Sequence, residues 1–115
     1  MYPTLFTNPG VKAFAEAIDA ERTRQLAKFG EQHHPDGTGV SPEQQKLADN
    51  ARAMCQQVFA EGRGDWAHIL FEEVREATAE SDPAKLRTKL IQIAAVCAAW
   101  VHDLDSRTEP STPAA

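Results

Sequence analysis

The chain has 115 residues, which suits one domain with a modest hydrophobic core, and its 42% hydrophobic and 25% charged content is that of a globular protein. Its 17 acidic and 12 basic residues give a net charge of −5. A nucleic-acid-binding surface needs a concentrated basic stripe, and the basic residues here are scattered among the acids, so this class of partner is excluded.

The N-terminal residues 1–10 are predicted to be an irregular arm, because they contain two prolines, an asparagine and a glycine. The first helix is predicted to begin at Val11, with Asn8 and Pro9 as its cap and first turn. It is expected to stop at Gly30, a residue typical of helix ends.

Residues 31–41 contain one proline and two glycines and are predicted to be a loop, which is long for a compact domain. Long loops often carry function, although a simple connector would look the same, and the sequence leaves both interpretations open. Ser41 and Pro42 then predict a second helix start, with Gln44 completing a capping box. Gly62 is expected to end this helix.

Asp65 is the predicted cap of a third helix over residues 66–80, and a fourth is predicted over residues 83–104. The fourth helix carries an apolar stripe widened by alanines, which is typical of a central helix or of an interface between copies of a chain. The tail, residues 106–115, is rich in Ser, Thr and Pro and is predicted to be disordered. Residues 11–105 are thus expected to form an all-α domain, a helical bundle.

The N-terminal residues lack the basic stretch and apolar run of a signal peptide, and no segment approaches the roughly 20 apolar residues of a membrane-spanning helix. We therefore expect a cytoplasmic protein without a membrane partner. In that compartment Cys55 and Cys97, which lie in apolar helical contexts, are predicted to be reduced thiols; a disulfide or a shared metal is the alternative.

The third helix places acids beside its apolar face. At 100° per residue, Glu73 shares a face with Leu70 and Ala77, and Glu72 and Glu76 lie close by. Three carboxylates at this spacing repel one another unless cations neutralise them, and Mg²⁺ is a hard cation that takes oxygen ligands. The alternative is a solvated acidic face paired with basic residues, which is a common arrangement.

The segment Glu72-Glu73-Val74-Arg75-Glu76 resembles the EExxE motif of the MazG-like all-α nucleoside triphosphate pyrophosphatases. The second motif of that family, ExxD, would fall at Lys89 and Gln92, where both carboxylates are replaced. The similarity covers about residues 20–104, and its further elements are Glu21-Arg22, Gln25, Phe29-Gly30, Gln32, His34, Trp66, Ile69-Leu70, Leu90 and Ala94-Ala95.

The resemblance implies a four-helix MazG-like bundle completed by homo-oligomerisation, as a homodimer or homotetramer. It implies Mg²⁺-dependent cleavage of a ribo- or deoxyribonucleoside triphosphate to the monophosphate and pyrophosphate, with Mn²⁺ as an alternative metal. The residues that it implies are Glu72 and Glu73 for catalysis, Glu73, Glu76 and Gln92 for the metal, and Gln25, Phe29, Gln32, His34 and Lys89 for the nucleotide.

Lys89 cannot bind a metal while protonated, but it can replace a cation by pairing with Glu73 or Glu76, or by contacting phosphate. The sequence therefore supports three hypotheses: a nucleoside triphosphate pyrophosphohydrolase, a catalytically weak or inactive nucleotide-binding relative, and a structural helical oligomerisation module. Lys89 favours the second hypothesis over the first. The buried position predicted for Glu73 argues against the third, because burying an unpaired carboxylate is costly.

Overall fold

The computed structural model of the chain describes residues 5–108, in which four helices and no strand occur. The predicted all-α class is therefore confirmed. The chain divides into two compact units: the 35–97 unit contains Pro35–Cys97, and the terminal unit contains the segments up to His34 and from Ala98. The helices are α1 (Val11–Phe29), α2 (Pro42–Ala60), α3 (Trp66–Thr78) and α4 (Pro83–Thr108).

The predicted bounds of α1 are confirmed, since it ends at Phe29 and the N–H of Gly30 donates to the Leu26 carbonyl at 2.9 Å. Its cap is different from the prediction. Gly10, with a φ of 79°, precedes the first turn, and no side chain caps it. Asn8 contributes only its backbone carbonyl, which accepts from Val11 N at 3.3 Å.

The C-terminal boundary at Leu104 was predicted too early. Helix α4 continues to Thr108, so Ser106, which was predicted to open a disordered tail, is helical. Two local contacts explain the extension: the Ser106 hydroxyl donates to the Asp103 carbonyl at 2.7 Å, and Arg107 pairs with the Asp103 carboxylate at 3.0 Å. The remainder of the predicted tail and the first four residues of the predicted arm lie outside the described residues.

The capping box predicted at the start of α2 is wrong. Ser41 makes no side-chain hydrogen bond to the helix. Gln44 instead turns toward the preceding loop, where its Oε1 accepts from Val40 N at 2.7 Å and its Nε2 donates to the Gly37 carbonyl at 3.3 Å. An amide both donates and accepts, so one side chain can hold two backbone groups of the loop at once.

The core of the 35–97 unit is built mainly from small side chains, where α2 packs against α3. Small residues let two helices approach closely, because little side-chain volume separates their backbones. The polar side chains that flank the α2 stripe consequently lie within reach of α3. The buried apolar residues are Ala48, Ala51, Cys55 and Val58 of α2, Ala77 of α3 and Leu86 of α4.

Helix α4 does not bury its whole predicted stripe within one chain. Leu86 is buried, whereas Leu90 is 53% exposed and Leu104 is 42% exposed. In the terminal unit, α1 likewise has no buried residue. None of the helices in residues 5–108 is long and apolar enough to cross a lipid bilayer.

The loop before α2 is attached to the C-terminal end of α3. Gly39 N donates to the Thr78 carbonyl at 2.8 Å, and Gly39 has a φ of 63°, which favours glycine. A Cβ at this position would lie 2.8 Å from the backbone N and Cα of Ser81. Both the conformation and the close approach therefore require glycine here.

We expect Gly39→Ala to lower the free energy of unfolding by more than Gly37→Ala, which is the matched control. Gly37 has a φ of 72° but no atom within 4 Å of its would-be Cβ, so its replacement costs only the left-handed conformation, about 1–2 kcal/mol. The Ser81 contact should add about 1–3 kcal/mol at position 39. Urea unfolding measures both losses, and equal losses would contradict the packing of Gly39 on Ser81.

Candidate functional site

The acids of α3 do not form a solvated face. The Glu76 side chain is only 12% exposed, and the Glu72 side chain is 22% exposed. Glu73 carries an oxygen that is fully removed from solvent. The register inferred from the sequence, which turns these carboxylates away from solvent, is therefore confirmed, and the acids need partners inside the 35–97 unit.

Two cations hold the Glu76 carboxylate, one from each neighbouring helix. Lys89 Nζ of α4 lies 3.0 Å from Glu76 Oε2, and Arg52 Nη2 of α2 lies 3.2 Å from Glu76 Oε1. Arg52 Nε also lies 3.9 Å from Glu72 Oε1. The predicted pairing of Lys89 with an acid of the motif is thus present. Both oxygens of Glu76 are occupied by positive charge.

Arg52 is the residue that sequence reasoning missed. It flanks the stripe of small residues on α2, one turn beyond Ala48, and it is 47% exposed at its side chain. An arginine at the edge of an apolar stripe buries its stem and keeps its guanidinium free to pair. That position was the available signal, but nothing in the sequence identified α3 as the helix that α2 packs against.

Among the acids Glu72, Glu73 and Glu76, Glu73 is the one with a buried oxygen that has no described partner. Its Oε2 is buried and, within residues 5–108, accepts no hydrogen bond. Burial, and then the negative charge of Glu76, raise the pKa of Glu73 above its ordinary value, against the opposing effect of Lys89. A buried acceptor without a donor is costly, so this oxygen is suited to a cation or to a proton.

The pKa of Glu76 is shifted in the opposite direction. Burial raises its pKa, but the hydrogen bonds from Lys89 and Arg52 outweigh burial and leave the pKa below the ordinary value. Two carboxylates three residues apart on one helix therefore have pKa values shifted in opposite directions. The difference arises because both cations contact Glu76.

Glu72 is held between Arg52 and a cysteine. Burial raises the pKa of the Cys55 thiol to about 11, and its hydrogen bond with Glu72 contributes in the same direction. The raised pKa favours the protonated form of the thiol beside the Glu72 carboxylate. Cys55 and Cys97 are both free, as the sequence predicted.

A polar cavity of about 350 Å³ lies where α2, α3 and the start of α4 meet in the 35–97 unit. Both cations of the cluster and the Glu76 carboxylate line it, so its wall combines positive and negative groups. Ser81, on which Gly39 packs, is also part of the wall. The lining residues are Gln45, Ala48, Arg52, Glu76, Ala79, Glu80, Ser81 and Lys89.

Of the predicted site residues, Glu76 and Lys89 line the cavity. Glu72, Glu73 and Gln92 belong to the same unit but do not line it, and Gln92 is exposed. The other predicted nucleotide residues belong to the terminal unit. There the Gln25 amide oxygen accepts from Arg22 at 2.6 Å, Phe29 is 57% exposed, and the Gln32 and His34 side chains lie 3.3 Å apart.

The described acids do not form a metal site from protein ligands alone. In the described part of the chain, no three His, Cys, Asp or Glu side chains converge as a metal site. Mg²⁺ is usually bound by one or two carboxylates together with waters and substrate phosphates. The unpartnered Glu73 oxygen meets part of that smaller requirement, whereas both oxygens of Glu76 are held by Lys89 and Arg52.

Comparison of the chain with family models, curated protein sequences and solved structures finds no match.

Proposed function

We propose that the chain binds nucleoside triphosphates as their Mg²⁺ complexes at the cluster of acids and cations beside the polar cavity, and hydrolyses them to the monophosphate and pyrophosphate. The observation that carries this proposal is the buried, unpartnered oxygen of Glu73 beside Glu76, a carboxylate held only by two cations. The reaction is the one that the MazG-like resemblance of the acidic motif implies.

An exchange of ionic partners explains how such a site can accept its ligand. In the structure, Arg52 and Lys89 pair with the acids and neutralise them. A triphosphate offers these cations a stronger acceptor, which Arg52 can contact with two parallel hydrogen bonds. Glu76 would then be free to hold, together with Glu73, the Mg²⁺ that accompanies the phosphates.

The side chains around the bound complex would have separate roles in the proposed reaction. Bound Mg²⁺ would neutralise phosphate charge and lower the pKa of a coordinated water. Glu72, fixed by Arg52 and by the Cys55 thiol, is the candidate acceptor for the proton of the attacking water. Lys89 and Arg52 would stabilise the charge on the phosphates.

A second chain is part of this proposal. Leu90 and Ile91 of α4 are 53% and 52% exposed, and clustered apolar side chains of this kind are typical of interaction surfaces. The MazG-like resemblance implies a homodimer or homotetramer, which would cover them. The cytoplasm, expected from the sequence, is where the proposed substrates and Mg²⁺ occur together.

Nucleotide binding without turnover is the second candidate. It is favoured by the contact of Lys89 Nζ with Glu76 Oε2 at 3.0 Å, because a permanent ammonium stands where the second acidic motif would supply a carboxylate. In that case Lys89 would permanently replace a metal ion, and the protein would sense or sequester nucleotides.

One pair of measurements separates the candidates. The purified protein is incubated with ribo- and deoxyribonucleoside triphosphates and Mg²⁺ or Mn²⁺, and released pyrophosphate is detected. Calorimetric titration with an α,β-methylene triphosphate analogue measures binding independently of turnover. Turnover supports the hydrolase, binding alone supports the nucleotide-binding relative, and the absence of both leaves the structural oligomerisation module.

Arg52→Gln is expected to weaken binding of the analogue about tenfold, the equivalent of about 1.4 kcal/mol, because the phosphates lose a charge-assisted contact. Arg24→Gln is the matched control, since Arg24 is exposed and pairs with Glu21 of its own helix. Circular dichroism verifies that both variants fold. If a folded Arg52→Gln variant binds the analogue with unchanged affinity, the phosphates do not bind in contact with Arg52.

A further inference from the structure

A second cavity, of about 240 Å³, lies on a different face of the α2–α3 pair. It shares no lining residue with the polar cavity. Its lining is mostly apolar, with three polar side chains among the apolar ones. The residues are Leu47, Asn50, Ala51, Met54, His68, Phe71 and Arg75.

The apolar side chains of this cavity are unusually open. Leu47 is 41% exposed, and Met54 and Phe71 are each 51% exposed. Clustered apolar side chains in contact with water favour any ligand that removes them from it, at about 25 cal/mol for each Å² covered. A concave apolar surface with a few polar groups is the usual composition of a small-molecule site.

Arg75 supplies the charge. Its guanidinium lies 4.8 Å from the centre of the Phe71 ring, and this ring, rather than a carboxylate, is its described partner. By contrast, Arg52 and Arg63 both pair with acids in the same unit. In a chain with 17 acidic residues, an arginine packed on an aromatic ring retains its donors for an anion from outside.

The neighbouring polar groups limit how much charge the ligand carries. His68 Nδ1 lies 2.7 Å from Asp65 Oδ1, so any positive charge on this imidazole faces an acid of the same chain. Asn50 is neutral. The cavity thus presents one uncommitted positive charge beside an apolar wall, which complements one negative charge attached to an apolar body.

From this arrangement we propose that the cavity binds amphipathic monoanions: small molecules with an apolar ring or chain that ends in one carboxylate or sulfonate. The acid group pairs with Arg75, and the apolar body covers Leu47, Met54 and the Phe71 ring. The site is independent of the nucleotide proposal, because neither its residues nor its ligand chemistry overlap with those of the polar cavity.

The test compares two fluorescent probes that share their rings and differ in charge. 8-Anilinonaphthalene-1-sulfonate carries one sulfonate, and N-phenyl-1-naphthylamine carries none. We expect the anionic probe to bind with one-to-one stoichiometry and at least tenfold more tightly than the neutral probe. Equal affinities, or no binding of the anion, would overturn the proposal.

Variants assign the effect to the cavity. Arg75→Gln should remove the preference for the anion, and Arg75→Lys should retain part of it. Phe71→Ser should weaken both probes. Arg63→Gln, on an exposed arginine that pairs with Glu61, is the control and should change nothing. A preference that survives Arg75→Gln in a folded protein would contradict the assignment.

A second copy of the chain is the competing occupant. Light scattering of the wild type and of Phe71→Asp detects it. A wild-type oligomer that dissociates in the variant, together with no probe binding to the wild type, would identify this face as a self-interface and overturn the small-molecule proposal. Probe binding with no effect of Phe71→Asp on the oligomeric state supports it.

Discussion

Replacement of Glu73 by Gln is expected to abolish pyrophosphate release and, at the same time, to stabilise the nucleotide-free protein. The substitution removes a charged oxygen that the proposed Mg²⁺ complex needs, so turnover should fall by at least about 100-fold, the equivalent of about 2.7 kcal/mol in the barrier. The stabilisation arises because a neutral amide replaces a buried carboxylate that faces the charge of Glu76.

The pH dependence of stability gives the sign of this effect. The pKa of Glu73 is raised in the folded state, so the folded state binds its proton more tightly than the unfolded state. Its favourable contribution is complete below the unfolded-state pKa and is lost as pH rises through the folded-state pKa. Glu73→Gln has no such titration, so its melting temperature should exceed that of the wild type most clearly at neutral pH.

Glu43→Gln is the control for this variant, because Glu43 is exposed and pairs with Lys46 at 3.9 Å. It should leave both pyrophosphate release and the melting temperature unchanged. Retained turnover in Glu73→Gln would disprove the proposed role of Glu73. A lower melting temperature at neutral pH would show that the Glu73 carboxylate is satisfied in solution.

Replacement of Lys89 by Glu is expected to make the stability of the protein depend on Mg²⁺, because a carboxylate then stands in place of the cation that pairs with Glu76. The variant loses the 3.0 Å pair with Glu76 and adds a further negative charge to the cluster. In Mg²⁺-free buffer the free energy of unfolding should fall by about 1–3 kcal/mol, less than for a fully buried pair because Lys89 retains 30% exposure.

Mg²⁺ should reverse that loss. A carboxylate introduced at position 89 attracts the divalent ion, so the affinity for Mg²⁺ should rise at least tenfold, and the melting temperature should increase with Mg²⁺ concentration. Lys85→Glu is the matched control, since it makes the same substitution at an exposed position one turn earlier on α4. If the two variants respond equally to Mg²⁺, position 89 does not lie at the proposed Mg²⁺ site.

The all-α class and several helix ends could be predicted from the sequence because their signals are local. Gly30 ends α1 and Pro42 begins α2 at the predicted positions. The prediction failed where a side chain had two possible partners. Gln44 was expected to cap its own helix and instead holds the loop, and Asp103 extended α4 by accepting from Ser106 and Arg107.

The candidate site could be predicted only on the helix that carries its motif. The helical repeat alone placed Glu73 beside the apolar face, with Glu72 and Glu76 close by, but it left a solvated acidic face as an alternative. Arg52 lies 24 residues away from Glu76 in sequence, and its contact depends on which face of α2 meets α3. Helical periodicity gives the faces of each helix, but not which helices pack together.

Burial lowers the reactivity expected of the Cys55 thiol. Its pKa is raised to about 11, and peroxides and alkylating reagents attack the ionised form of a thiol. We therefore expect Cys55 to be alkylated slowly as long as the protein remains folded.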